Sequence, residues 1–476
     1  MATANATLQT RDRLLSQITS FFSEYKFLAL LLIAGFLVRV WATRWAPFPI
    51  DMNDWIAWGE RMRSVGPAAF YSEGIFADYA PGYIYIFGLS AWAKHAFFES
   101  ASQETYYFLH RLPPILFDLG IAALVYITVD QARKHKLAQP VATTKKGKKK
   151  EKRQARGRDY GRLVPVLAAA CFLFSPVVWF NSAAWGQLDS SFTFFMVLSV
   201  VLLLRDRPMF AVVAYVLGFF LKPQSVTLVP LIAVFLLMRY KPRDWAKFAG
   251  VGIVTAFLVL FPFFGFASFF RFVGVLRKSV EVYPYTSMYM YNLWGLLYNF
   301  WINDTTTLIA GMPARRIGTL LYLVGIAIGV LLMIRELRKT TDEPKTIFFF
   351  ATYFTFMPVM VLTRMHERYI YPALPFLLAF AFLYQIQRQR KEKLAAYFLN
   401  LPFVIYLIVT ALHWMALYYV YNYYIHLMNK TSVDQSNVFF YFVERYPHWW
   451  SLLMLATFLI FTVSFFKWPL AKKAHG

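Results

Sequence analysis

The sequence has 476 residues, of which 59% are hydrophobic, 20% aromatic and only 16% charged, well below the roughly 25% charged share of soluble globular domains. That composition excludes a soluble fold and predicts one integral-membrane domain over 1–476, with no extramembrane segment long enough for a catalytic domain of its own. The net charge of +24 does not point to nucleic acid: much of the excess sits between Arg133 and Arg162, whose densest part, Lys145 to Arg158, has no interleaved aromatics, and the stretch reads as a basic cytoplasmic loop (130–162) with affinity for anionic headgroups.

The polar opening, Met1 to Tyr25, precedes an apolar run too long and too late for a cleaved signal peptide, so Phe27–Trp45 is expected to remain as the first span. Ile84 to Phe97 is apolar too, but its length of about 14 residues suits an interfacial or re-entrant helix. Counting it as a crossing would also push the most basic loop outside, so it belongs to a long first outer loop, Pro47 to His110. Further spans are expected at Leu112–Val129, Leu163–Phe180, Phe192–Leu204, Met209–Leu221, Val226–Met238, Phe248–Phe264, Ile317–Ile334, Ile347–Leu362, Ile370–Tyr384, Leu394–His413 and Trp449–Phe466. The result is an all-α polytopic fold of about twelve membrane helices with both termini inside. The connections at Arg133–Arg162, Arg205–Arg207, Arg239–Lys247, Arg335–Lys345, Arg388–Lys393 and Lys467–Lys473 are all basic and therefore cytoplasmic. Arg315 and Arg316, at an outer helix end, run against this bias. Cys171 is the only cysteine, which leaves no intramolecular disulfide and no zinc cluster to consider.

This topology carries the polar motifs to the opposite, outer side. Asp51 and Asp54 follow the first span; as a helix start they would be N-cap and first-turn residues, and as a site Asp51 would be a general base that takes the proton from an acceptor hydroxyl. Asp78 heads Asp-Tyr-Ala-Pro-Gly-Tyr, an interfacial turn or a second acidic position. In the link from Asn181 to Ser190, Asp189 and Ser190 could cap the next helix, whereas Gln187 suits sugar hydroxyls and Trp185 could stack on a pyranose face. Lys222-Pro-Gln224 interrupts an apolar stretch; a lysine there either snorkels or faces a phosphate. Finally, His366, Glu367 and Arg368 are wedged between apolar helices with almost no loop to solvate them, which favours an anionic ligand gripped by arginine.

In order and placement, these motifs resemble a family of bacterial membrane proteins related to the mannosyltransferases of glycosylphosphatidylinositol assembly, within the C-fold class of glycosyltransferases. The resemblance rests on Asp51 with Trp58, on Asp78 to Tyr83, Trp185 to Asp189 and Lys222 to Gln224, on Tyr285 to Ser287 and Asn292 to Trp294, and on His366 to Tyr369. It covers roughly Phe27 to Phe380; the basic insertion Lys145 to Arg158 departs from the pattern.

The resemblance implies transfer of a hexose, mannose by analogy, from a polyprenyl-phosphate donor to a glycan, lipid or protein acceptor on the outer face of a bacterial plasma membrane rather than in the endoplasmic reticulum. In that reading Asp51 is catalytic; Lys222, Gln224, His366, Glu367 and Arg368 hold the donor phosphate; and Asp78, Trp185, Gln187, Asp189, Tyr285, Asn292 and Trp294 contact sugar or acceptor. Beyond the lipid-linked sugar as substrate and membrane lipids as surroundings, no cofactor is implied, no residue is assigned to a metal, and a divalent ion stays an open addition. The alternative is a flippase or transporter of the same lipid-linked sugar, which needs the phosphate and sugar contacts but no base. Transporters place ionisable groups near the bilayer midplane, and the one-sided clustering here favours an enzyme.

Overall fold

A computed structural model describes residues 25–72, 74–138, 163–340, 343–388, 394–431 and 436–467. The expected basic insertion, Lys145 to Arg158, lies outside the described residues. Helices run at α1 Tyr25–Ala42, α2 Pro49–Val65, α3 Pro81–Phe97, α4 Gln103–Ala138, α5 Leu163–Leu173, α6 Pro176–Trp179, α7 Asp189–Leu204, α8 Pro208–Leu221, α9 Val229–Arg239 and α10 Pro242–Phe264. They continue at α11 Ser268–Glu281, α12 Leu293–Leu297, α13 Ala314–Lys339, α14 Glu343–Val361, α15 Ala373–Arg388, α16 Ala395–Phe398, α17 Leu401–Met428, α18 Val438–Arg445 and α19 Pro447–Lys467. Among the described residues the only strands are two-residue pairs, Ser287–Met288 parallel to Met365–His366 and Leu308–Ile309 antiparallel to Met312–Pro313.

Proline starts many of these helices. Pro49, Pro81, Pro208 and Pro242 occupy the first turns of α2, α3, α8 and α10, where a fixed φ helps and a missing N–H costs nothing. α17 begins at Leu401 rather than at the expected Leu394, because Asn400 caps it by accepting from Phe403 N at 2.9 Å and Pro402 fits its first turn. It also runs on to Met428, well beyond His413.

Among the described residues eight helices are long and apolar enough to cross a membrane, and a broken pair, Leu163–Leu173 with Pro176–Trp185 bent by 50°, would make a ninth. Three shorter apolar helices, Asp189–Leu204, Pro208–Leu221 and Pro223–Arg239, coincide with the other expected spans. One continuous buried apolar cluster extends from Leu28 to Phe465. At its centre the span Glu367–Arg388 is 94% buried, whereas Ala314–Lys339 is 17% buried and faces outward. The expected interfacial segment is helical: α2 and α3 pack on each other, and a Cβ at Gly82 would collide with the Phe220 carbonyl, so α3 reaches the backbone of α8 only through a glycine.

Contacts between loops sort the helix ends into two sets. Arg205 Nε meets Gln131 at 3.4 Å, Arg239 binds Asp206 at 3.2 Å and Glu343 at 2.8 Å, and Arg335 lies 5.4 Å from the Phe466 ring. These basic connections therefore share one end of the bundle, as the charge bias predicts. At the other end, Arg111 Nη1 donates to the carbonyls of Thr43, Trp45 and Ala183, and Asn292 Nδ2 donates to Val359 O. α7, with 16 residues and roughly 24 Å of rise, reaches from one set to the other because unwound turns complete the distance.

Candidate functional site

The motif end is built around Asp51. Its helix is not capped by its own side chain, as the sequence suggested; Phe48 is the N-cap, Pro49 fills the first turn, and the Asp51 carboxylate is left free for other partners. Both come from one irregular turn. After the short α6 the chain enters a π-helical turn, Phe180–Trp185, and leaves it through Gly186 at φ 94°, a conformation glycine adopts without a Cβ penalty. Such π turns are rare and recur at functional sites. The turn aims Trp185 Nε1 at Asp51 Oδ2 across 3.0 Å, and Gln187 Nε2 donates to the same oxygen. Among the described residues Oδ1 accepts no hydrogen bond, so one oxygen is anchored and the other is free to take a proton.

Trp185 is buried with Phe48 stacked on it at 4.4 Å. It presents its N–H to the site rather than the open ring face expected for a sugar. Asp189 and Ser190 do not cap α7, whose N-cap is Leu188. Instead Asp189 Oδ1 lies 2.5 Å from Lys222 Nζ, and Ser190 Oγ donates to Pro114 O. The Lys222 ammonium also lies 4.6 Å from the centre of the Tyr369 ring, so its charge is met before any ligand arrives. Gln224 Nε2 donates to Tyr369 O at 2.7 Å, and its buried Oε1 has no partner among the described residues.

Arg368 is the less satisfied cation. Its Nη1 reaches Glu367 Oε1 at 3.0 Å and His366 Nδ1 at 3.4 Å, while its buried Nε has no partner among the described residues. An orphaned buried donor is uncommon in a folded protein and marks a place where an acceptor belongs. The parallel pairing of Ser287–Met288 with Met365–His366 fixes this segment, and the Tyr283 ring meets His366 at 5.2 Å. Burial first, and then the adjacent Arg368 charge, holds His366 down at about 4, so its ring is neutral and acts as a hydrogen-bonding group.

Asp78 lies in the loop between α2 and α3, with its carbonyl accepting from Ser279 Oγ at 2.7 Å. Burial raises it to about 6, aided by the charges of Asp51 and Asp54 and opposed by Arg368. Burial likewise raises Asp51, against the pull of Arg368 and the Trp185 hydrogen bond. Three carboxylates and one guanidinium thus feel one another's charge, which is the convergence the topology predicted.

Other expected positions stand apart. Asn292 caps α12, accepting from Trp294 N and Gly295 N, while Trp294 Nε1 donates to Val361 O at 2.8 Å. Both are buried with their donors consumed, so they brace the site from behind. The Tyr285 ring packs on Trp301 at 5.0 Å, and the neighbouring Tyr283 takes the place beside the ionic cluster. Arg364, two residues before His366, is turned away from the cluster and pairs with Asp304 at 2.8 Å.

The sequence reading also missed a buried tie between the two halves of the site. Asp118 on α4 binds Arg39 Nε at 2.8 Å and Ser182 Oγ at 2.5 Å, and accepts from the Tyr371 hydroxyl. Ser182 belongs to the turn that holds Asp51, and Tyr371 N donates to Arg368 O at 3.0 Å. A signal was present, since Asp118 sits inside an expected span, where an ionisable residue is costly. Among the described residues no group of three or more His, Cys, Asp or Glu forms a metal-holding cluster.

Fold and site together define a polytopic helical membrane protein with an ionic site gathered at one end of the bundle. The family described as GPI transamidase subunit PIG-U matches residues 68–301, which links the chain to GPI-related membrane proteins. No curated protein matches the chain. The matched segment contains Asp78, Trp185 to Asp189 and Lys222 to Gln224, whereas Asp51 and His366 to Arg368 fall outside it.

Proposed function

We propose that the chain is an integral-membrane hexosyltransferase that moves a sugar, mannose by resemblance, from a polyprenyl-phosphate donor to an acceptor hydroxyl on the non-cytoplasmic face of a bacterial plasma membrane. The reading counts about twelve crossings, with the three shorter apolar helices and the broken pair included. The observation that carries it is the asymmetric Asp51 carboxylate, with Oδ2 pinned by Trp185 and Gln187 and Oδ1 without a hydrogen bond among the described residues. In this mechanism Oδ1 takes the hydroxyl proton as the acceptor oxygen attacks the anomeric carbon. The bond from that carbon to the phosphate oxygen breaks, and the electron pair leaves with the lipid phosphate. Arg368 Nε, buried and without a partner among the described residues, meets the growing charge, the setting in which electrostatic stabilisation is strongest; His366 adds a hydrogen bond and Lys222 a second, partly neutralised cation. Gln224, Asp189 and Asp78 position donor and acceptor around them.

The PIG-U match favours a second reading, a subunit that recognises a lipid-linked glycan without transferring it. A flippase shares that prediction of binding without chemistry. Asp51→Asn separates these readings, because the amide keeps the shape but not the basicity. Incubated with polyprenyl-phosphate mannose and an acceptor extract, the variant should bind donor like wild type while transfer falls roughly 10²- to 10⁴-fold. Transfer at the wild-type rate, or no transfer by wild type across a panel of lipid-phosphate sugars, would remove the enzyme reading.

A further inference from the structure

The helix α11, Ser268–Glu281, has three distinct faces. Phe272, Val275, Leu276 and Ser279 turn toward the protein, with Phe272 buried and the Ser279 hydroxyl bonded to the Asp78 carbonyl. Phe269, Val273 and Val280 fall at helical spacing on a second face and are exposed. Phe266 just ahead of the helix and Phe270 within it are 90% and 87% exposed. Arg271 and Lys278 share the third face, and Arg277 projects beside Phe270 and Val273 on the second; all three are exposed, and among the described residues none of them forms an ion pair.

No single medium suits these faces. Phenylalanines so exposed would be unfavourable in water, and three cations would be costly in hydrocarbon. A helix that runs on from the span of α10 into the boundary between acyl chains and headgroups satisfies both. The helix sits at the motif end, where the positive-inside bias predicts few cations, yet two more lie nearby. Arg364 joins the α11 carbonyl of Val280 at 2.5 Å to Asp304, and Arg315 N donates to Asp304 O at 3.1 Å. The exposed Arg315 and Arg316, which ran against the charge bias in the sequence, thus begin α13 beside the end of α11.

We propose that the exposed cations of α11, with Arg315 and Arg316, bind the anionic phospholipid headgroups of the leaflet at the motif end. Charge complementarity selects the partner: a zwitterionic headgroup offers five cations, without an ion pair among the described residues, no net attraction, whereas each Lys or Arg near an anionic surface favours it by about fivefold. This binding is independent of sugar transfer and stands whether or not the proposed reaction does.

The test uses the full chain with Cys171→Ser and a fluorophore at Gly274→Cys, where an added side chain meets open space. Reconstituted in phosphatidylcholine bilayers, the label should be quenched more strongly by headgroup-labelled nitroxide phosphatidylglycerol than by the phosphatidylcholine equivalent at equal mole fraction. Salt should erase the difference, and Arg271→Gln with Arg277→Gln and Lys278→Gln should erase most of it, at up to about fivefold in lipid preference per cation. Equal quenching by the two lipids in the unsubstituted helix would overturn the proposal. So would a preference that persists in the triple variant or at high salt.

Discussion

At the scale of single residues, the site separates holding from reacting. Among the described residues Trp185 and Gln187 hold one oxygen of Asp51 and no group bonds the other, while Asp189 neutralises Lys222, and Arg368, like Arg111 behind the turn, keeps an unused buried donor. A base must be ionised to act, and burial raises Asp51 above the usual carboxylate range. Transfer should therefore be lost as the pH falls, and lost at a higher pH than for an exposed aspartate. The negative charge of Asp54 contributes to that rise, so Asp54→Asn should move the acid limb of the pH–rate profile downward while changing maximal transfer little. A limb that stays in place or moves up would detach it from Asp51. Asp51, Asp78, Lys222 and the His366–Arg368 cluster were legible in the sequence because charged residues between apolar helices are conspicuous. The N-caps were not: Phe48 and Leu188 outcompete Asp51 and Asp189, since the carboxylates find stronger partners across the fold than at their own helix ends.

At the scale of elements, the π turn Phe180–Trp185 and its exit at Gly186 determine where the indole N–H and the amide point. A Cβ at Gly186 would lie 3.0 Å from Met52 Cε and 3.4 Å from Arg111 Cγ, in a backbone conformation that disfavours side chains. Gly186→Ala should lower stability by about 1–2 kcal/mol, and it should weaken transfer more than donor binding, because the disturbed bonds end on the base and not on the cations. Thermal unfolding in detergent, read beside donor binding and transfer, checks this; equal loss of both functions would place the turn at the donor instead. Apolar runs revealed the long elements, including α3, but they could not reveal a π turn, whose extra residue depends on the Asp118 and Arg111 contacts around it. For the same reason α11 was invisible as an element: its apolar residues are divided between the protein and the lipid, and the sequence alone shows only a mixed loop.

At the scale of the molecule, the basic connections gather at one end and the motifs at the other. That division predicts opposite accessibility for Lys241, beside the Arg239 contacts, and Glu281, at the end of α11. With Cys171 replaced by serine, Lys241→Cys and Glu281→Cys in sealed vesicles should react with an impermeant maleimide from opposite sides; labelling from the same side would break the two-ended arrangement. Charge alone made this division legible, because the positive-inside bias acts on loops whatever the packing between them. Packing decided what charge could not, namely that Asn292 and Trp294 brace α14 from behind and that α17 starts late, behind Asn400.

The anchoring of Asp51 also sets a schedule. A membrane chain is threaded N-terminus first, so Asp51 enters the bilayer surface long before its partners exist. Trp185 follows 134 residues later and Gln187 136 residues later. The Arg368 guanidinium comes with the span Glu367–Arg388, and Tyr421, whose hydroxyl grips the Ala46 carbonyl 375 residues upstream, comes later still. A nascent chain therefore carries an unoriented carboxylate until Gln187 is made, and a ribosome stalled between Gln187 and Arg368 leaves a protein that occupies the membrane with its carboxylate held but its cation missing.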